Sequence, residues 1–124
     1  MTEYLDLDDL LVAAEAFLGR PPQVRDYGLL EAALARTRAT VYGADAYPTL
    51  DGKAAALLCS IVRDHGLLDG NKRLGWVATR LFYVLNDRDL NAPHDQAYDL
   101  VMAIADGSLS DIGKIATVLA RWVS

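Results

Sequence analysis

Apolar residues recur along this chain at intervals of three and four, the spacing of one helix face, through nearly its whole length. A first helix is predicted from Leu7 to Leu18, with Leu7, Leu10, Leu11, Ala14 and Leu18 on one face. Asp8 and Asp9 suit its positive N-terminal end. Gly19-Arg20-Pro21-Pro22 stops it, because proline lacks an amide donor and clashes with the preceding turn. A second helix spans about Tyr27 to Thr37 behind a capping Asp26, with Leu30, Ala33 and Leu34 turned inward. A third covers about Gly52 to Asp64, and a fourth about Asn71 to Asn86. The fourth carries Leu74, Val77, Ala78, Leu81, Phe82 and Leu85, a stripe broad enough to predict the central place in a bundle. Pro93 reads as the first-turn proline of a fifth helix reaching about Ala105, with Gly107 as its C-terminal cap. Ser110 or a neighbour caps a last helix carrying Ile112, Ile115, Val118, Leu119 and Trp122.

One stretch breaks this rhythm. From Ala39 to Leu50, β-branched and aromatic residues surround Gly43 and precede Pro48, which predicts extended structure, a short hairpin or flap. The expected fold is all-α: one domain over residues 1–124, about six helices, with room for a short β-hairpin.

Composition narrows the setting. A chain that is 52% hydrophobic can bury a real core. A net charge of −5 argues against direct nucleic-acid binding, and Arg36 and Arg38 read as a solvated helix face. The single cysteine, Cys59, lies in an apolar run and reads as a buried structural thiol. One cysteine and two distant histidines give no zinc pattern. His94 reads as a first-turn residue on the surface. No signal peptide and no apolar run of about 18 residues is present, so the expectation is a cytoplasmic protein that engages no membrane.

The candidate chemistry is concentrated in His65-Gly66-Leu67-Leu68-Asp69-Gly70-Asn71-Lys72-Arg73. A helix starting near Asn71 exposes unpaired N–H groups in its first turn, and with the helix dipole these form an anion site. Gly70 lets backbone approach a ligand, and Asn71 can add a side-chain donor. Lys72 and Arg73 put two cations where a helix ordinarily prefers acids, which makes sense if a phosphate sits there. Asp69 is a natural ligand for Mg²⁺ brought with a phosphate. His65, one short loop away, is suited to taking a proton from a hydroxyl. Each residue alone has an ordinary reading as turn, cap or solvated surface. Their concentration at one helix start favours a phosphate site.

The segment HGLLDGNKR resembles the signature of the Fic/Doc family, His-Pro-Phe-x-(Asp/Glu)-Gly-Asn-(Gly or Lys)-Arg on an all-helical fold, and is most similar to its Doc (death-on-curing) branch, toxins of bacterial toxin–antitoxin modules. The resemblance implies ATP and Mg²⁺ as cofactors, with His65 as general base and Asp69 as metal ligand. It implies Gly70, Asn71, Lys72 and Arg73 as the nucleotide-phosphate site, with Lys72 and Arg73 also serving catalysis. Fic adenylyltransferases carry Gly at the position of Lys72, which leaves room for the α-phosphate; Doc proteins carry Lys and transfer the γ-phosphate instead, to a threonine of elongation factor Tu. The implied activity is therefore that of a protein serine/threonine kinase that halts translation. The family's self-inhibitory motif, Ser/Thr-x-x-x-Glu-Gly/Asn, has no match, so the implied inhibitor is a separate antitoxin whose disordered C-terminal tail folds as a helix on the toxin. Gly66 and Leu67 depart from the usual Pro or Ile and Phe, and a looser loop is expected from the smaller side chains. Two alternatives remain open: a Fic-type adenylyltransferase, and a non-catalytic module that binds a nucleotide or a protein. An RNA-cleaving toxin is disfavoured by the acidic charge.

Overall fold

The structure, a computed structural model, describes residues 1–124 and contains six helices and one hairpin. Helix α1 (Leu7–Leu18) opens with a reciprocal cap, the Asp6 carboxylate accepting from the Asp9 amide and the Asp9 carboxylate from the Asp6 amide. Helix α2 (Tyr27–Thr37) is capped by Asp26 as expected. Strands β1 (Thr40–Val41) and β2 (Ala44–Asp45) pair antiparallel, Thr40 opposite Asp45. Tyr42 and Gly43, with φ of 52° and 81°, supply the positive-φ pair that a tight two-residue hairpin turn requires.

Helix α3 (Leu50–Asp64) begins two residues earlier than the pattern suggested, because the Thr49 hydroxyl caps it by accepting from the Gly52 amide. Helices α4 (Asn71–Leu85), α5 (His94–Ala105) and α6 (Ile112–Ala120) follow. Pro93 is the residue before α5 rather than its first turn, Asp111 caps α6, and Trp122 lies beyond the helix it was assigned to.

The central helix is α3, not α4. All eleven residues from Gly52 to Val62 are buried, and α3 packs against α2, α4, α5 and α6. Small Ala54, Ala55 and Ala56 let those neighbours approach from several sides. The outer part of the α4 stripe (Leu81, Val84 and Leu85) is exposed instead. One core cluster of 25 buried residues draws on all six helices, and Cys59 is within it as a free thiol.

The polar groups buried in this core are all satisfied. Lys53, 2% exposed, donates to the Asp45 carboxylate at 3.1 Å and to the Tyr47 carbonyl at 2.6 Å. Arg36 donates to the Tyr47 hydroxyl and to Ser60 Oγ, both at 2.9 Å. These bonds tie the hairpin and its return segment to α2 and α3.

Candidate functional site

The junction between α3 and α4 folds by a set of backbone constraints. His65 terminates α3 in the left-handed region, at φ 55° and ψ 54°, a conformation a residue with a Cβ adopts only when its surroundings hold it there. The segment after the Pro-Pro pair supplies that hold. The Arg25 guanidinium donates from Nε to the His65 carbonyl at 2.7 Å and from Nη2 to the Asp64 carbonyl at 2.9 Å. The amides of Arg25 and Asp26 both donate to the Gly66 carbonyl, and the Leu68 amide donates to the Gln23 carbonyl. Val24 and Leu67 form an antiparallel bridge between the two segments.

Gly66 is buried against α2, where an added Cβ would lie 2.6 Å from Leu30 Cδ2. Leu67 is 1% exposed. The junction is therefore closely held, and the looser loop expected from Gly66 and Leu67 is not what the structure shows: Leu30 fills the space a larger residue at 66 would use.

Asn71 needs a correction. The sequence reading gave its side chain to a ligand, but it is buried and closes on the loop: Oδ1 accepts from the Leu67 amide and Nδ2 donates to the Leu67 carbonyl, both at 2.9 Å. What remains for a ligand is the backbone amide and the second Nδ2 hydrogen. Gly70 precedes α4 at φ 91°, and no side chain caps this helix, so its first-turn amides take no side-chain partner. A Cβ at Gly70 would meet the Phe17 ring at 3.2 Å as well as the unfavourable φ.

His65, Leu68, Asp69, Gly70, Asn71, Lys72 and Arg73 line one hollow of about 310 Å³. The structure thus brings every residue singled out in the sequence to one place. His65, Asp69, Lys72 and Arg73 are exposed there. The only ion pair in the molecule is Lys53–Asp45, so Lys72 and Arg73 carry charges with no carboxylate partner. Arg73 rests its guanidinium 5.0 Å from the centre of the Phe17 ring on α1. No cluster of three or more acidic, histidine or cysteine side chains forms, leaving Asp69 the one carboxylate of the hollow.

Two larger grooves adjoin this hollow. One, about 790 Å³, lies between α1 and α4 and is mostly apolar, including Val12, Phe17, Val77, Leu81 and Val84, with Asp8, Asp9 and Arg73 also lining it. The other, about 420 Å³, lies between α4 and α5 and includes Lys72, Arg73, Trp76, His94 and Tyr98. His94 is exposed, as read, but faces that groove rather than open surface alone. Arg25 was not singled out in the sequence, and Leu30 only as an inward-facing residue of α2. Each meets the junction from 35 or more positions away, and nothing in local spacing marks that contact.

A family model described as Fic/DOC family matches residues 3–83. The chain belongs to the Fic/Doc family. Toxin Doc of Mycolicibacterium smegmatis (strain ATCC 700084 / mc(2)155) is 51% identical over 126 residues, an alignment covering all of this chain and 96% of that protein. As a Fic/Doc protein, the chain is one of a family of nucleotide-using transferases. The family match spans the hairpin, the central helix and the whole α3–α4 junction. No helix is long and apolar enough to cross a membrane.

Proposed function

We propose that this protein is the toxin of a toxin–antitoxin module and transfers the γ-phosphate of ATP to a threonine or serine hydroxyl of a protein target. Elongation factor Tu is the expected target and arrested translation the result. The observation that carries this reading is the hollow at the start of α4, where uncapped amides, two unpaired cations and an exposed imidazole meet. The full-length similarity to a protein named Toxin Doc supports the toxin role.

A triphosphate fits this chemistry. The amides of the first α4 turn and the N-terminal helix dipole attract its oxygens, and Gly70 permits the left-handed turn against Phe17 that leads into them. Lys72 and Arg73 offset the charge that develops on the transferring group. Mg²⁺ ordinarily takes one or two carboxylates together with phosphate oxygens and water, so the single Asp69 carboxylate suits an ion that arrives with the nucleotide. When bound, that ion would neutralise phosphate charge. His65 accepts the proton of the incoming hydroxyl as its oxygen bonds to the γ-phosphorus. The bond from that phosphorus to the β–γ bridging oxygen breaks, and ADP leaves. Lys72 stands where adenylyltransferases of the family have Gly, which favours γ-transfer over transfer of AMP.

The antitoxin has a suitable seat. The groove between α1 and α4 exposes Val12, Leu81, Val84 and Leu85 to solvent, a contiguous apolar surface of the kind a partner covers. Asp8 and Asp9 also line it, as does Arg73, which complements a helical tail with a basic and an acidic residue suitably spaced. Arg73 lines both the groove and the hollow, so a tail engaging it there would compete with the nucleotide for that side chain.

Purified protein incubated with elongation factor Tu, Mg²⁺ and ATP labelled at either the α or the γ position tests the reading. Label transferred only from the γ position is expected. Transfer from the α position would make the protein an adenylyltransferase, and ATP binding without transfer to any translation protein would make it a binding module.

A further inference from the structure

We infer that Arg25 is a positioning residue for His65: its guanidinium sets the backbone conformation that aims the imidazole into the hollow. This inference rests on the proposed role of His65 as the base. The two carbonyls that Arg25 grips belong to Asp64 and His65. They are the last carbonyl of α3 and that of the left-handed residue ending it, groups that would otherwise have no helical partner. They are also the negative end of the α3 dipole, which a cation stabilises.

The geometry explains why arginine stands here. Two donors in one rigid plane reach two successive carbonyls at 2.7 and 2.9 Å and so fix their relative orientation, which a flexible ammonium, though it can donate to two oxygens, does not. Successive carbonyls define the rotation about His65. Gripping them fixes φ 55° and ψ 54°, and hence the direction of the Cα–Cβ bond. Arg25 has no carboxylate partner, since the molecule's only ion pair is elsewhere, so its Nε–Nη2 edge is given to the backbone.

The rest of the junction is held independently. Leu67 is fixed by the Asn71 carboxamide, and Gly66 by the amides of Arg25 and Asp26, which do not depend on the Arg25 side chain. Removing the guanidinium therefore releases His65 while the phosphate-binding start of α4 stays in place. An Arg25 defect should lower kcat and leave KM for ATP nearly unchanged, because misplacing a catalytic group by about 1 Å can cost on the order of 100-fold.

The test combines kinetics with NMR on wild type, Arg25→Ala and Arg25→Lys. In Arg25→Ala, kcat for γ-transfer should fall about 10- to 100-fold with KM for ATP within about twofold. The His65 Cα and Cβ shifts should leave left-handed values while those of Leu67 and Asn71 hold. Arg25→Lys keeps the stem and charge and should recover part of both losses. Unchanged kcat in Arg25→Ala, or a lost kcat with unmoved His65 shifts, overturns the inference. If the wild type transfers no phosphate, the kinase reading fails by itself; moved His65 shifts in Arg25→Ala would still show that the guanidinium holds that backbone, and unmoved ones would overturn that too.

Discussion

At residue scale, the hollow divides into exposed side chains free to act on a ligand and side chains that build the wall. His65, Asp69, Lys72 and Arg73 are exposed and unpaired, so changing them should alter chemistry with little effect on stability. His65→Ala is expected to lower γ-transfer by about 10²- to 10⁴-fold, the usual contribution of a positioned base, with an unchanged melting temperature. Normal phosphorylation by that variant would remove the base assignment. Lys72→Gly should abolish γ-transfer and open space for the α-phosphate, which the two labelled ATPs report directly. Asn71 belongs to the wall. Asn71→Ala removes both bonds to Leu67 and leaves buried backbone groups unpaired, at a cost of about 1–3 kcal/mol for each. Urea unfolding checks it: a change below about 0.5 kcal/mol would mean the pair contributes nothing. This division is the part of the site that sequence conceals. The residue types and their spacing point to the proposed phosphate site, since the role proposed for Lys72 and Arg73 follows from charge at a helix start. Whether Asn71 points in or out depends on Leu67, whose burial is set by tertiary packing.

At element scale, periodicity located all six helices, because each buries apolar residues at helical spacing and stops at a recognisable cap or breaker, and the break in that period, with its β-branched and aromatic residues, located the exposed hairpin. Its failure concerns rank. The stripe of α4 is wide, yet α3 is central, because the alanines of α3 admit neighbours on sides where larger residues would hold them off. A stripe reports how apolar a helix is and not whether a neighbour exists to cover it. Two polar anchors fix α3 to what surrounds it. Lys53 holds the hairpin through Asp45 and Tyr47, and Tyr83 of α4 donates to Asp51 at 2.6 Å. Burial, then the hydrogen bond and charge of Asp51, push the Tyr83 hydroxyl well above the ordinary tyrosine range. The proton is thus held more tightly in the folded state than in the unfolded one. The associated stability is fully present below the unfolded value of about 10 and falls as pH rises beyond it. Melting temperatures between pH 9 and 11 should therefore drop more steeply in wild type than in Tyr83→Phe. Parallel curves for the two proteins would show that this hydroxyl contributes nothing to alkaline unfolding.

At the scale of the whole molecule, the exposed stripe of α4 and the hollow at its start are two consequences of one arrangement. Because α3 occupies the centre, α4 has one face packed on α3 and another left facing solvent beside α1. The same helix would present its N-terminus to the proposed phosphate and its flank to the proposed partner, and Arg73 lines both cavities. A bound antitoxin tail and a bound nucleotide would thus compete across a single side chain, and inhibition needs no conformational signal through the core. Val84 separates the two functions, since it lines the apolar groove, is 59% exposed and lies outside the hollow. Val84→Glu should leave folding within about 0.5 kcal/mol of wild type, as surface changes usually do. A carboxylate at this position would have to be desolvated under an apolar helix, so antitoxin affinity should fall by about tenfold or more. Growth arrest on expression should then persist despite co-expressed antitoxin, with γ-transfer in vitro unchanged. Full neutralisation of Val84→Glu by the same antitoxin would place the tail elsewhere, and a parallel loss of transfer would mean that the groove and the hollow are not separable.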